Sequence, residues 1–272
     1  MSLVKNRNVV IIVSDSRGRG LIEFSQKDEY RNYIHIIRIL PGKRFDQVAE
    51  IAKDLISQNA DNYYCVLLAG ICSLTELSTV NGIRQLTYPL QNRDHKVAQL
   101  TEQIQDLKFQ FGNRINICTI VPALLAKYSA VTSANLQQES TDSNSKEIQQ
   151  QQEALIDDIQ QINEIILKLN SEYNNINISL CRRFFVYSKK KQRKTNSGAS
   201  RRVSKLNAEA LVDGVHFSDK IKTTCFSLIY TAIKRDLDKS DTLSQDSLSE
   251  SDQDWDFKRK VSYESCSTPP KK

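Results

Sequence analysis

The chain has 272 residues, of which 39% are apolar, and a formal net charge of +6. This length allows one sizeable domain with polar tails or two small domains. No apolar run is long enough to cross a bilayer, and the N-terminus lacks the apolar stretch of a secretory signal, so we expect an intracellular protein, cytoplasmic or nuclear. The six cysteines form no CxxC pair, which favours reduced thiols over disulfides, and we expect no bound metal or cofactor.

Strand-like apolar runs alternate with amphipathic helices along most of the chain. The predicted strands are residues 9–13, 34–40, 63–70, 115–121 and 178–187. The predicted helices, with apolar residues at three- and four-residue steps, are residues 43–58, 97–111, 148–173 and 221–237. Residues 73–93 and 126–146 are interpreted as loops. This alternation predicts an α/β fold with a parallel sheet and right-handed crossovers.

The first predicted strand ends in Ser14-Asp15-Ser16, and two glycines, Gly18 and Gly20, follow. A buried strand that stops at a serine and turns through glycines places the Ser16 hydroxyl at the carboxyl edge of the sheet. Ligand sites of open α/β sheets lie at that edge. An ordinary strand-to-loop junction also contains serine and aspartate, because both suit turns.

A second candidate catalytic motif is Asp213-Gly214-Val215-His216, late in the chain. An aspartate three residues before a histidine can accept a hydrogen bond from Nδ1 of the ring and leave Nε2 free as a base. A lone DxxH is short and common, however, and a polar loop explains it equally well.

Taken together, these motifs resemble the ordered blocks of the SGNH/GDSL hydrolase superfamily. Between the serine and the DxxH, Gly42 ends the second strand and Gly70-Ile71-Cys72-Ser73 follows the third. The resemblance covers residues 9–237 and implies a flavodoxin-like three-layer α/β/α sandwich around a parallel sheet of roughly five strands. It divides the chain into an SGNH hydrolase-like domain, residues 1–237, and a disordered acidic, serine-rich tail, residues 238–272.

The resemblance implies a catalytic triad. Ser16 matches the nucleophile, His216 the general base, and Asp213 the carboxylate that orients the base. An unassisted hydroxyl is a weak nucleophile, so acyl transfer needs this arrangement. The implied activity is that of a carboxylic-ester hydrolase acting on a small-molecule or acylated substrate.

The resemblance also implies an oxyanion hole with one altered member. The backbone N–H groups of Ser16 and Gly42 match two of the family's donors. The family's third donor is an asparagine side chain, and Cys72, a weak donor, stands at its position. Ser73 is an alternative donor. We therefore expect an esterase of impaired or specialised activity.

A strongly basic segment, residues 182–205, holds ten basic residues and no acidic one, and its centre is predicted to be a loop at residues 188–205. It favours an alternative function, in which a non-catalytic SGNH-fold module of mobile-element origin engages RNA or DNA. A nuclear-import signal or a solvated loop explains the same charge. The candidate nucleic-acid contacts are Lys189, Lys190, Lys191, Arg193, Lys194, Arg201 and Arg202. The oligomeric state is left open.

Overall fold

The structure, a computed structural model, describes residues 8–59, 63–80, 83–134, 145–187 and 204–250. The chain divides into two compact units, Met1–Ile233 and Lys234–Lys272. All seven candidate nucleic-acid contacts of the basic segment lie outside the described residues, as does the predicted tail beyond residue 250. The described part of the first unit contains all the residues of the predicted triad and oxyanion hole.

Strands and helices alternate through the first unit, as the sequence predicts. The described strands are β1 (Val9–Ser14), β2 (Ile34–Ile39), β3 (Tyr63–Leu68), β4 (Glu76–Val80), β5 (Ile83–Thr87), β6 (Ile115–Ile117), β7 (Phe185–Tyr187) and β8 (Ser204–Leu206). The described helices are α1 (Leu21–Ser25), α2 (Phe45–Gln58), α3 (Ile71–Leu74), α4 (Arg93–Phe111), α5 (Leu125–Ala134), α6 (Ser145–Glu172) and α7 (Asp219–Glu250). Among these helices, none is long and apolar enough to span a membrane.

The central sheet contains four described strands in the order β2-β1-β3-β6, and all of them run parallel. Strand β1 lies inside the sheet, and every one of its residues after Val9 is buried. This explains its unbroken run of β-branched residues, because a strand covered on both faces has no polar side.

Helices cover both faces of this sheet. Ile11 and Val13 belong to a core cluster that also contains buried residues of α2, α4 and α6. On the opposite face, His35 pairs in register with Val10 and lies beside Tyr230 of α7, with ring centroids 5.6 Å apart. The predicted α/β class, with a parallel sheet between helical layers, is confirmed.

The predicted fifth parallel strand at residues 178–187 is wrong. Residues 178–180 carry no strand, Cys181–Phe184 forms a 3-10 turn, and β7 pairs antiparallel with β8 instead of joining the central sheet. The chain nevertheless follows the edge of β6 through single hydrogen bonds, such as that from the Thr119 N–H to the Ile178 carbonyl, 3.1 Å.

Two buried asparagines of α6 bond the backbone at the end of β6 and just after it. The Cys118 N–H donates to Leu67 of β3, so the backbone groups of Ile117 point the other way, towards the open edge. There Asn170 Nδ2 donates to the Ile117 carbonyl at 2.9 Å and occupies a bonding position that a further strand would use. Asn163 accepts from the Ile120 N–H at 2.6 Å and donates to the Ile120 carbonyl at 2.8 Å, beyond the end of the strand.

Helix α7 differs from its predicted extent, and three elements lie where the sequence predicts loops. Helix α7 continues to Glu250, past the predicted end at residue 237 and into the segment that the sequence predicts to be a tail. The antiparallel pair β4-β5 and helix α5 lie in segments interpreted as loops. Short elements of this kind carry too few residues for their apolar spacing to stand out from a polar loop.

Candidate active site

Ser16 opens a single 3-10 turn, Ser16–Gly18, directly after β1. The Asp15 N–H donates to the Leu68 carbonyl at 3.0 Å, which extends the pairing of β1 with β3 by one residue. The Asp15 carboxylate then caps the turn, because its Oδ1 accepts from the Arg17 N–H at 2.9 Å. Ser16 therefore stands at the carboxyl edge of the sheet, as its sequence context predicts.

The DxxH motif forms a compact loop around one carboxylate. Asp213 Oδ2 lies 2.6 Å from Nδ1 of His216. The other oxygen, Oδ1, accepts from the backbone N–H groups of Val215 and His216 at 3.0 and 2.8 Å. Because a carboxylate only accepts, Nδ1 carries a proton and the neutral imidazole presents an unprotonated Nε2.

The environment keeps Asp213 ionised. Burial raises the pKa of this carboxyl, but the hydrogen bonds from the His216 backbone and ring and from the Val215 N–H outweigh burial, so the net pKa lies below its usual value. An ionised carboxylate is the form that can accept from Nδ1 and orient the ring.

Gly214 is required by the packing of this loop. Its φ is +88°, and a Cβ added there would lie 2.5 Å from the Leu124 carbonyl and 2.8 Å from the Tyr128 nitrogen. The Leu124 N–H donates to the Gly214 carbonyl at 2.7 Å. The loop thus lies directly against the start of α5, and only glycine allows both the backbone conformation and the contact.

Residues from the two ends of the first unit meet in one cavity of about 240 Å³. Its lining residues are Ser16, Arg17, Arg19, Val212, Asp213, His216, Phe217, Asp219 and Lys222. The three residues of the predicted triad are therefore brought together. No hydrogen bond joins the Ser16 hydroxyl to His216 within the described part of the chain, so the cavity holds a nucleophile candidate and an oriented base that are not hydrogen-bonded to each other.

Arg17 connects the serine turn to the histidine loop. The Arg17 side chain is only 3% exposed. Its Nε donates to the Val215 carbonyl at 3.1 Å, and its Nη1 donates to the Val121 carbonyl after β6. The residue that follows the serine thus holds the residue that precedes His216.

The Arg17 guanidinium and the Asp15 carboxyl group are both buried and interact through their charges, although they form no direct ion pair. Burial raises the pKa of Asp15, and the nearby Arg17 charge opposes this only in part. Burial likewise lowers the pKa of Arg17 against the charge of Asp15. Asp15 Oδ2 and Arg17 Nη2 are buried without a hydrogen-bond partner among the described residues.

The predicted oxyanion-hole residues lie at the ends of β1, β2 and β3 but do not all face the cavity. Gly42 is exposed, with φ +72° and open space around its α-carbon. Cys72, on α3, is partly buried near Asp15 and Arg17, and burial raises the pKa of its thiol to about 11. Cys72 is therefore a neutral thiol at physiological pH. Neither Gly42 nor Cys72 lines the cavity.

Ser73 serves a different purpose in the structure. Its hydroxyl accepts from the Phe45 N–H, the first N–H of α2, at 2.8 Å. It also lies in a separate depression, together with Arg44 and Lys96. The structure does not bring this hydroxyl into the Ser16 cavity.

Six of the nine lining residues were not among the site residues predicted from the sequence: Arg17, Arg19, Val212, Phe217, Asp219 and Lys222. Arg17 is adjacent to Ser16 and Phe217 to His216, so their proximity follows from the chain. The burial of Arg17 has no local signal, because its acceptors lie more than 100 residues away in sequence.

No protein-family model matches the chain, and a search of curated proteins finds no match. Among solved structures, the chain is similar to a lipase/acylhydrolase from Enterococcus faecalis, with 14% identity and a TM-score of 0.49 over 84% of this chain and 95% of that chain. It is also similar to the acetyl xylan esterase AlAXEase, with 15% identity and a TM-score of 0.47. That match covers 83% of this chain and 99% of the esterase chain. A third similar structure is AlinE4, an SGNH-hydrolase family esterase, with 13% identity and a TM-score of 0.34. That match covers 64% of this chain and 75% of the AlinE4 chain.

The buried arginine gives a stability prediction. Arg17→Met leaves the Val215 and Val121 carbonyls without their donor and Asp15 without its counter-charge. We expect a loss of about 3–5 kcal/mol in the free energy of unfolding, measured by chemical denaturation. Arg19→Met is the matched control, since Arg19 is exposed and should change stability by less than about 0.5 kcal/mol. Equal, small effects of both changes would show that Arg17 does not hold the two loops.

The Asp213–His216 pair gives a spectroscopic prediction. The chain contains three histidines, so a long-range ¹H–¹⁵N spectrum of the rings is simple. We expect neutral His216 to be the Nδ1–H tautomer, and Asp213→Ala to shift it towards the Nε2–H form because the acceptor is removed. His216→Asn identifies its signals. An unchanged tautomer in Asp213→Ala would mean that the carboxylate does not orient the ring.

Proposed function

We propose that the protein is a serine hydrolase of the SGNH/GDSL type that cleaves a carboxylic ester. The observation that carries the proposal is the arrangement of Ser16, His216 and Asp213 around one cavity, with Asp213 Oδ2 2.6 Å from His216 Nδ1. An oriented imidazole with a free Nε2 beside a serine hydroxyl is the combination that nucleophilic acyl transfer requires.

In the proposed reaction, His216 Nε2 takes the proton of Ser16 as its Oγ attacks the ester carbonyl. Asp213 stabilises the imidazolium that forms. Collapse of the tetrahedral intermediate breaks the bond to the alcohol, which leaves with the proton from His216. Water then attacks the acyl-serine with His216 again as base, and the carboxylic acid leaves Ser16 with its hydroxyl restored.

The proposed oxyanion hole begins with the backbone N–H of Ser16, which lines the cavity and has no acceptor among the described residues. In the proposal it stabilises the oxyanion of the intermediate. The N–H of Gly42 also has no acceptor among the described residues, but Gly42 lies outside the cavity lining, so its role stays a prediction from the sequence. Cys72 occupies the position of the family's asparagine, and a neutral thiol is a weak donor. The impaired or specialised activity expected from the sequence rests on this substitution.

The nucleic-acid alternative draws no support from a described contact. Its seven candidate residues in the basic segment lie outside the described part of the chain. It stays a prediction from the sequence, as do the domain boundary, the intracellular location and the small-molecule or acylated character of the substrate.

Covalent labelling tests the proposal. We expect a fluorophosphonate probe to label the protein and Ser16→Ala to abolish labelling. His216→Ala should slow it by about 10²–10⁴-fold, because the general base is lost. Ser57→Ala is the matched control, since Ser57 is exposed on α2 and outside the cavity, and it should label at the unchanged rate. Labelling that persists in Ser16→Ala would overturn the proposed nucleophile.

Restoring the amide donor tests the oxyanion hole. We expect Cys72→Asn to raise kcat on a p-nitrophenyl ester by up to about 10²–10³-fold, the effect of one side-chain donor in such a site. Cys72→Ala is the control, since it removes the thiol without adding a donor, and its kcat should remain near that of the unchanged protein. If Cys72→Asn is no faster than Cys72→Ala, this position does not contribute to the oxyanion hole.

A further inference from the structure

The lining of the Ser16 cavity contains more cationic side chains than carboxylates. Three cations, Arg17, Arg19 and Lys222, and two carboxylates, Asp213 and Asp219, contribute to its lining. Asp213 is bonded to His216, as described above. Lys222 Nζ and Asp219 Oδ1 are 2.8 Å apart and form an ion pair. Among the described residues, neither Arg17 nor Arg19 forms an ion pair with a carboxylate, but the buried Arg17 side chain donates to two backbone carbonyls. Arg19 is the exposed lining cation, and no ion pair within the described part of the chain occupies it.

Arg19 is fixed close to the proposed nucleophile. Its backbone N–H donates to the Ser16 carbonyl at 3.3 Å and closes the 3-10 turn that Ser16 opens. The Arg19 side chain is exposed at the cavity. A guanidinium thus projects from the turn that carries the reacting hydroxyl and has no internal acceptor among the described residues.

Arg17 adds a second positive charge beside the cavity. It lines the cavity but is almost completely buried, and its Nε and Nη1 donate to backbone carbonyls. The Arg17 guanidinium carbon lies 5.8 Å from the centre of the Phe217 ring, which also lines the cavity. Two guanidinium groups therefore border one small space, and Arg19 is the exposed one.

We propose that the cavity selects short esters that carry a carboxylate near the scissile bond, with Arg19 as the residue that recognises the charge. This rests on the hydrolase activity proposed above. A guanidinium matches a carboxylate through two parallel hydrogen bonds, which a neutral ester cannot form. The cavity of about 240 Å³ lies below the range of about 300–1,000 Å³ typical of drug-sized ligands, so it suits a short chain.

Ratios of kcat/KM test the selectivity with the charge on either side of the ester. One pair of substrates places the carboxylate in the acyl group: 4-methylumbelliferyl hemisuccinate against the butyrate. The other places it in the alcohol: 4-acetoxybenzoate against phenyl acetate. In each pair, kcat/KM of the charged ester is divided by kcat/KM of the neutral ester. This ratio is compared between a variant and the unchanged protein, so that the intrinsic reactivity of each ester cancels.

We expect Arg19→Gln to lower this ratio about two- to fivefold in one of the two pairs, the effect of an exposed ion pair. About 0.5 M NaCl should reduce the difference between the two proteins, because it screens exposed charges. Arg31→Gln is the matched control, since Arg31 is an exposed arginine outside the cavity, and both ratios should stay unchanged. Unchanged ratios in Arg19→Gln for both pairs would overturn the inference and leave the hydrolase proposal standing.

A binding measurement decides the inference even if no ester is turned over. In Ser16→Ala, titration calorimetry compares monomethyl succinate with methyl butyrate, and the comparison is repeated in the Ser16→Ala/Arg19→Gln double variant. We expect tighter binding of the charged ester, and loss of this preference in the double variant. Equal binding of both esters in Ser16→Ala would overturn the inference. Absence of Ser16-dependent labelling and turnover would instead overturn the proposed function.

Discussion

The buried guanidinium of Arg17 is the constraint on which the site depends. Ser16 and His216 lie 200 residues apart in sequence, and the carbonyls that Arg17 bonds come from the histidine loop and from the segment after β6. The guanidinium is planar and its donors have fixed directions, so it sets the spacing between these segments. A lysine at this position would present a single ammonium nitrogen, so both carbonyls would have to converge on one point instead of meeting two separate nitrogens.

Burying this charge is unfavourable on its own, and the turn compensates for it locally. Asp15 supplies the opposite charge and also caps the turn through the Arg17 N–H. The compensation is incomplete, because one oxygen of Asp15 and one nitrogen of Arg17 remain buried and unsatisfied among the described residues. Unsatisfied buried groups are uncommon in folded proteins, and here they lie on both sides of the proposed nucleophile.

Local patterns account for the parts of the site that could be predicted from the sequence. Ser16 follows a strand that is predicted by its run of β-branched residues. The hydrogen bonds between Asp213 and His216 join residues only three positions apart. The burial of Arg17 and the orientation of Ser73 towards α2 depend on long-range contacts that leave no pattern in the sequence. The same limit explains the wrongly predicted fifth strand, since Asn170 belongs to a helix whose polar residues normally face solvent.

The missing strand and the site are connected through consecutive contacts. Asn163 of α6 binds both backbone groups of Ile120 and so fixes the chain immediately before Val121. The Val121 carbonyl is in turn one of the two acceptors that position Arg17. The contacts therefore run from a helix amide, through two consecutive backbone residues, to the arginine beside the serine and on to the Val215 carbonyl of the histidine loop.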